Sequence, residues 1–288
     1  MKIMSYTAAI AGALLLLGMV GSTVAGAQDA GPRILLLTRS AGFEHSVIKR
    51  DDSGTSHVER ILKPLAQEMG ATLECTKDAG KINAESLKNY DVVIFYTSGD
   101  MTQPGGDGQP AMAASGVDDL LAWIKNGGGF LGFHSATDSF RSEGDDCTPY
   151  IQMIGAEFVT HGAQFKGTIK KVDAGHPAVA SLPEVWNLAD EWYLFRKFAK
   201  EDMHVLALLE IGRERKKQER YNIPDYPMIW CRGFGNGRVL YNGMGHREDV
   251  WEHDNFKALV KDHILWASGK GELNAEPNYT KVVPETAP

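Results

Sequence analysis

Short unbroken apolar runs alternate with longer amphipathic stretches along this 288-residue chain. Arg33-Ile34-Leu35-Leu36-Leu37-Thr38, Asp91-Val92-Val93-Ile94-Phe95-Tyr96 and the stretch 127–134 have the continuous apolar pattern of strands buried on both faces of a parallel sheet. Between the first two, Val58, Ile61, Leu62, Leu65 and Met69 recur at helical spacing and the pattern stops at Gly70, which predicts a helix over 55–69. Pro64 inside it removes one backbone hydrogen bond. Residues 71–75 read as the second strand, and a helix ending over 120–125 precedes the fourth. Strand and helix in regular alternation predict an α/β fold with right-handed crossovers. The second half is less regular: 167–172, 205–211, 228–232 and 238–242 are strand-like, and 255–266 is a closing helix that turns Phe256, Leu259, Val260 and Ile264 to the core. No repeat or Pro/Ser-rich linker divides residues 28–268, so one domain is expected, followed by a polar tail over 269–288 that wraps the surface or stays disordered.

The first residues do not belong to that pattern. Lys2 precedes an apolar run from about Ala8 to Val20, and Ala25-Gly26-Ala27 supplies a small-residue cleavage site, so residues 1–27 read as a signal peptide and the mature chain as secreted or periplasmic. No later apolar run is long enough to span a bilayer. The formal charge is -7, and the leader contributes only Lys2 to it. Such an acidic surface has no basic stripe for phosphates, which argues against nucleic acid as a partner. Cys75, Cys147 and Cys231 are too few and too scattered for a disulfide framework or a CxxC metal site; one disulfide with a spare thiol and three free thiols both remain open. No G-x-G-x-x-G follows a strand, so neither a nicotinamide nor a flavin cofactor is expected.

Histidine placement carries the chemistry. The fourth apolar run ends in Gly132-Phe133-His134-Ser135-Ala136, a tight strand-to-helix turn with small residues on either side of an apical imidazole, shaped like a nucleophile elbow. An imidazole at that apex suits proton transfer or metal binding. Ligands in open α/β sheets bind outside the carboxyl ends of the strands. His45 follows the first strand, Thr97, Ser98 and Asp100 follow the third, and His246 follows 238–242, so parallel strands would bring these groups to one edge. His161 and Glu191 lie outside the regular pattern and can fold over the same crevice, although Arg196 is an alternative partner for Glu191. Asp138 could orient His134 or cap the next segment. The Gly- and Pro-rich residues 101–115 sit where a lid would, and the basic segment 213–220 reads as a solvated tip with no assigned function.

Three chemistries compete. A divalent metal, zinc or manganese, held by His134, His161, Glu191 and His246 is one. Metal-free acid–base work by His134 with Glu191 is the second. A Ser135 esterase is the third, disfavoured because an acyl nucleophile should itself occupy the apex.

Residues 33 to about 268 resemble the ThuA-like (trehalose utilisation) family of the class I glutamine amidotransferase-like superfamily. The likeness is carried by residues 37–46 (Leu-Thr-Arg-Ser-Ala-Gly-Phe-Glu-His-Ser), by 128–136 around His134, by His176-Pro177, by Asp190-Glu191-Trp192-Tyr193 and by Gly243-Met244-Gly245-His246. The resemblance implies a flavodoxin-like three-layer sandwich with a mainly parallel central sheet, and a role in glycoside or keto-sugar breakdown. It implies His45, His134, Glu191 and His246 as site members, with His161 on a weaker likeness. His134 replaces the superfamily's elbow cysteine, so glutamine hydrolysis is not expected. The expected substrate is a small sugar or glycoside, processed by hydrolysis, isomerisation or elimination. Thr97, Asp100, Ser135, Asp138 and Tyr193, with His45 and His246, are the expected substrate contacts, and Trp192, Tyr193, Phe133 and Phe140 are candidates for a stacking face. A non-catalytic carbohydrate-binding protein is the rival reading.

Overall fold

A computed structural model describes residue 1 and residues 31–284. The signal-peptide segment therefore lies, apart from its first residue, outside the described residues. The strands are β1 (Arg33–Leu37), β2 (Thr72–Thr76), β3 (Val92–Phe95), β4 (Gly129–Phe133), β5 (Glu157–His161), β6 (Phe165–Lys171), β7 (Val185–Asp190), β8 (Tyr193–Arg196), β9 (His204–Glu210), β10 (Tyr226–Phe234) and β11 (Gly237–Asn242). The helices are α1 (His57–Glu68), α2 (Ala84–Leu87), α3 (Gly116–Lys125), α4 (Pro149–Ile154), α5 (Glu248–Glu252), α6 (Asp254–Ala267) and α7 (Tyr279–Val282).

Nine strands form one sheet in the order β2-β1-β3-β4-β11-β10-β9-β6-β7. Its core half is parallel from β2 through β11, and β3, β4 and β1 after its exposed Arg33 are apolar because helices cover both faces. One helical layer contains α1, α5 and α6, and the other contains α2, α3 and α4. This is the expected α/β three-layer, flavodoxin-like architecture. Helix α1 starts at Ser56 with a reciprocal capping box to Glu59 and carries Pro64 without ending.

Beyond β11 the sheet continues as antiparallel strands, an extension the strand-like runs of the second half only partly anticipate. Because direction reverses at each step, β7 again points the way β4 does, and its carboxyl end reaches the same edge. Four ladder steps separate β11 from β7, roughly 19 Å in a flat sheet. Yet Asp190 at the end of β7 accepts a 2.7 Å hydrogen bond from the Gly245 amide just after β11. The antiparallel half therefore curls back over the carboxyl edge. Strands β5 and β8 form a separate two-stranded ladder in which His161 and Tyr193 are direct cross-strand partners.

Segment 213–220 lies in the connection between β9 and β10 as two short 3-10 turns. All three cysteines are unpaired. Residues 269–284 run along the domain, anchored by Asn278, which bonds both backbone groups of Val205, and by buried Tyr279 and Val283. Among the described residues no helix is long and apolar enough to cross a membrane.

Candidate active site

The first residue beyond β4 is His134, whose φ of +42° is in the left-handed region. A non-glycine residue pays roughly 1–2 kcal/mol there. The turn holds it by close packing: a Cβ on Gly132 would stand 2.9 Å from Ile154 Cδ1 and 3.1 Å from Ala136 Cβ. The imidazole is fully buried, with Nδ1 3.1 Å from the Gly243 carbonyl oxygen. A carbonyl only accepts, so Nδ1 carries the proton and Nε2 is left as a lone pair.

That lone pair faces two other elements. His134 Nε2 is 3.2 Å from His246 Nδ1 and 3.5 Å from Glu191 Oε2, and the latter two are 3.1 Å apart. His45 stands edge-on to both imidazoles, with ring centroids 5.0 and 5.1 Å away. Its Nε2 lies 3.2 Å from the Tyr193 hydroxyl, while its buried Nδ1 has no hydrogen-bond partner. One ligand atom from each of His45, His134, Glu191 and His246 falls within 4.8 Å of all the others. Ligands 2.0–2.1 Å from a tetrahedral zinc stand roughly 3.3 Å apart. The His134, Glu191 and His246 atoms, 3.1–3.5 Å apart, fit that spacing. The set with His45 spans up to 4.8 Å and would have to contract around an ion, and the donor set of three imidazoles and a carboxylate suits zinc or manganese.

Asp190 sets this geometry without joining it. Its carboxylate accepts the Glu191 amide at 2.9 Å and the Gly245 amide at 2.7 Å, clamping the end of β7 to the turn that carries His246. Sequence reasoning passes over Asp190, although it stands beside Glu191 in the quoted motif; its signal was a second carboxylate next to the first. Burial pushes its carboxyl up to about 7 against the two amide bonds.

The electrostatics favour a positive charge among these groups. Burial disfavours charge on Glu191, but the adjoining His134 and His246 imidazoles outweigh it and hold the carboxyl well below the ordinary range. Burial also opposes the His246 cation, and there the Glu191 hydrogen bond and the charges of Glu191, Asp190 and Glu248 prevail, raising its pKa. Burial dominates at His134, which is held low despite Glu191. His45 falls to about 2 through burial and then through its imidazole neighbours.

The remaining sequence candidates separate cleanly. His161 contacts Glu191, with Nδ1 3.1 Å from Oε1, so it stands outside the four-residue cluster and His45 takes the place expected for it. Tyr193 joins the centre through His45 and through its ring, 4.1 Å from that of His134. Asp138 does not orient His134, because the Gly243 carbonyl does; Asp138 lies 3.5 Å from Arg141, and burial raises its carboxyl to about 6. Thr97 is buried and bonded to Ser139. Asp100 is exposed and accepts from Thr102 within its own turn. Ser135 Oγ is buried without a hydrogen-bond partner, so it lacks the adjacent base an esterase nucleophile requires. Arg196 holds Glu157 and not Glu191. Phe133, Phe140 and Trp192 are core residues with no face to offer a sugar.

The ThuA family model, described as trehalose utilisation, matches residues 33–267. The chain belongs to the ThuA family. Among solved structures, this ThuA-family chain is similar to a ThuA-like protein of Bacteroides uniformis (20% identity, 85% of this chain and 94% of that one, TM-score 0.64). It is also similar to one of Parabacteroides merdae (17%, 90% and 95%, 0.61). A β-galactosidase of Bacillus circulans matches over 87% of this chain and 32% of its own (12%, 0.50). No curated protein matches the chain. At these identities the structural likenesses establish the fold, and the family points to a sugar-related role.

Proposed function

We propose that this ThuA-family protein processes a glycoside or keto-sugar outside the cytoplasm, at a centre where His45, His134, Glu191 and His246 hold a divalent metal. The observation that carries the reading is the meeting of three imidazoles and a carboxylate from β1, β4, β7 and β11 at one sheet edge. A bound zinc or manganese ion that kept a coordination position beyond these protein ligands would supply Lewis-acid polarisation of a substrate oxygen and a more acidic bound water.

The chain's own groups supply the rest. Hydrolysis, isomerisation and elimination all need a positioned proton acceptor and donor. Glu191 turns Oε2 toward His134 and His246 and Oε1 toward His161. The His161 side chain is 42% exposed, so a proton can pass between Glu191 and solvent through its imidazole. Tyr193 fixes the His45 ring through its hydroxyl. A cleft of about 480 Å³ opens beside Ser46 and Glu248, which are hydrogen-bonded to each other; Ser46 follows His45 directly and Glu248 stands two residues after His246, while none of the four centre residues lines the cleft. Support for a sugar comes from the family's description, and support for export from the leader-like residues 1–27.

The test is elemental analysis of the purified protein before and after chelation, with turnover assayed on trehalose and 3-keto-trehalose. One equivalent of metal per chain, activity lost on chelation and restored by the ion, and at least about 100-fold loss in Glu191→Gln are expected. Full activity in the chelated protein would overturn the metal centre. Sugar binding with no metal and no turnover would make the protein a carbohydrate-binding accessory.

A further inference from the structure

Core aromatics close to the centre face inward, and one aromatic does the reverse. Phe43, two residues before His45, is 67% exposed, and among the described residues no other Phe, Tyr or Trp side chain is exposed. Single exposed apolar residues are commonplace, so exposure alone says little. Its setting says more. The ring stands edge-on to His45, with centroids 4.9 Å apart and planes at 86°, which leaves it at the rim of the four-residue centre.

The loop beneath it is fastened on every side. The amides of Ala41 and Gly42 both donate to the Ser98 carbonyl, at 2.9 and 3.1 Å, and Ser98 Oγ donates to the Phe43 carbonyl at 2.7 Å. Glu44 is held by Lys77 at 2.8 Å, and Lys77, itself buried, also donates to the Thr38 carbonyl at 2.9 Å. Ser46 Oγ donates to Glu248 Oε1 at 2.6 Å. Gly99, at φ +76°, lets the two backbones press together: a Cβ there would lie 2.5 Å from the Gly42 nitrogen. An exposed ring on a flexible loop loses freedom when it binds; this one has little backbone freedom left to lose.

We infer that Phe43 is a stacking platform for a pyranose ring, which it holds by the C–H face while the hydroxyl or carbonyl groups on the ring's edge address the His45–His134–Glu191–His246 centre. The negative face of an aromatic ring attracts the positively polarised C–H bonds of a sugar, and a planar amphipathic anchor orients a ring without reading its hydroxyls. This rests on the carbohydrate reading above and adds the residue that would set substrate orientation.

The experiment is calorimetric titration of the full mature chain and its Phe43→Ala, Phe43→Leu and Phe43→Trp variants with trehalose, maltose and cellobiose. Because the side chain is exposed, the thermal midpoint should move by no more than about 2 °C. Phe43→Ala and Phe43→Leu should weaken binding by about tenfold, and Phe43→Trp should keep wild-type affinity. Equal affinity in Phe43→Ala and wild type would overturn the platform alone. Wild-type affinity in Phe43→Leu would show generic apolar contact and overturn stacking. A wild type that binds none of the three sugars would overturn the carbohydrate reading and the platform together.

Discussion

His134 and His246 are 112 residues apart in the chain, and their Nε2 and Nδ1 atoms are 3.2 Å apart in space. With the His134 proton committed to Gly243 through Nδ1, two lone pairs and the Glu191 carboxylate share one small volume unless something positive stands among them. A proton on His246 Nδ1 can serve; a divalent ion serves all the groups at once. Zinc added at about 100 times its dissociation constant should therefore stabilise the fold by about 2.7 kcal/mol, raising the unfolding midpoint by about 5–10 °C for a domain of this size. Glu191→Gln and His246→Ala should lose most of that shift. Differential scanning fluorimetry reads it directly, and equal shifts in wild type and both variants would place the ion elsewhere.

Asp190 makes a different prediction, because it supports ligands without being one. In Asp190→Asn one of the two amide donors, Glu191 or Gly245, would face an NH2 group in place of an oxygen. Loss of one buried acceptor should cost about 1–3 kcal/mol of stability. By analogy with outer-shell partners of metal ligands, metal affinity should fall about 10–100-fold. Competition against a fluorescent zinc chelator gives the affinity, and the Glu191 and His246 side chains should still saturate at one equivalent. A variant with unchanged affinity would show that the clamp is structural only.

Acid should destabilise the protein through histidines outside the centre. His263 Nδ1 lies 2.7 Å from the Ala178 carbonyl oxygen, and its Nε2 is 3.1 Å from Asn242 Nδ2. Asn242 cannot turn its oxygen to the ring without losing the Met244 amide, which donates to Oδ1. The neutral Nδ1–H tautomer is thus locked in, and burial lowers the pKa to about 3. His176 is lowered to about 4 by burial and by His204. Below the unfolded value near 6.5 the unfolded chain binds protons that the folded chain refuses, so stability is intact above about pH 6.5 and declines as pH falls toward 4. Urea midpoints at pH 7, 6, 5 and 4 should drop progressively, and His263→Gln should flatten the slope. A midpoint independent of pH over that window would contradict the assignment.

The parallel half of this fold was legible because its central strands are buried on both faces and read as apolar runs, as in Leu35-Leu36-Leu37 and Val92-Val93-Ile94-Phe95, whereas edge strand β2 is only partly buried. Strand β7 was not, although it alternates: Trp186, Leu188 and Asp190 point inward and Val185, Asn187 and Ala189 outward. A buried aspartate in the inward set conceals the period. The same concealment explains the site. His45, His134 and His246 follow recognisable strand ends, whereas Glu191 reaches them only because the antiparallel half curls, a property of pairing order that no local pattern records. His161 lies outside the four-residue cluster because the β5–β8 ladder stations it on the solvent side of Glu191.

Gly132 tests whether the strained apex depends on the packing beneath it. Replacing it by alanine puts a methyl 2.9 Å from Ile154 Cδ1 and 3.1 Å from Ala136 Cβ, and neither can retreat freely: Ala136 belongs to the turn, and Ile154 is fully buried in α4. Overpacking of this kind costs about 1–3 kcal/mol, or about 2–10 °C in midpoint. The displacement should also be felt at His134, two residues on, whose +42° φ is maintained only while the turn is tight. Gly132→Ala should therefore lose metal affinity more than its stability loss explains. The comparison variant is Leu121→Ala, in α3, an element that carries no residue of the turn or of the four-residue centre, which should lower the midpoint by a similar amount and leave metal uptake unchanged. If the two variants match in both measurements, the geometry at His134 does not depend on the glycine.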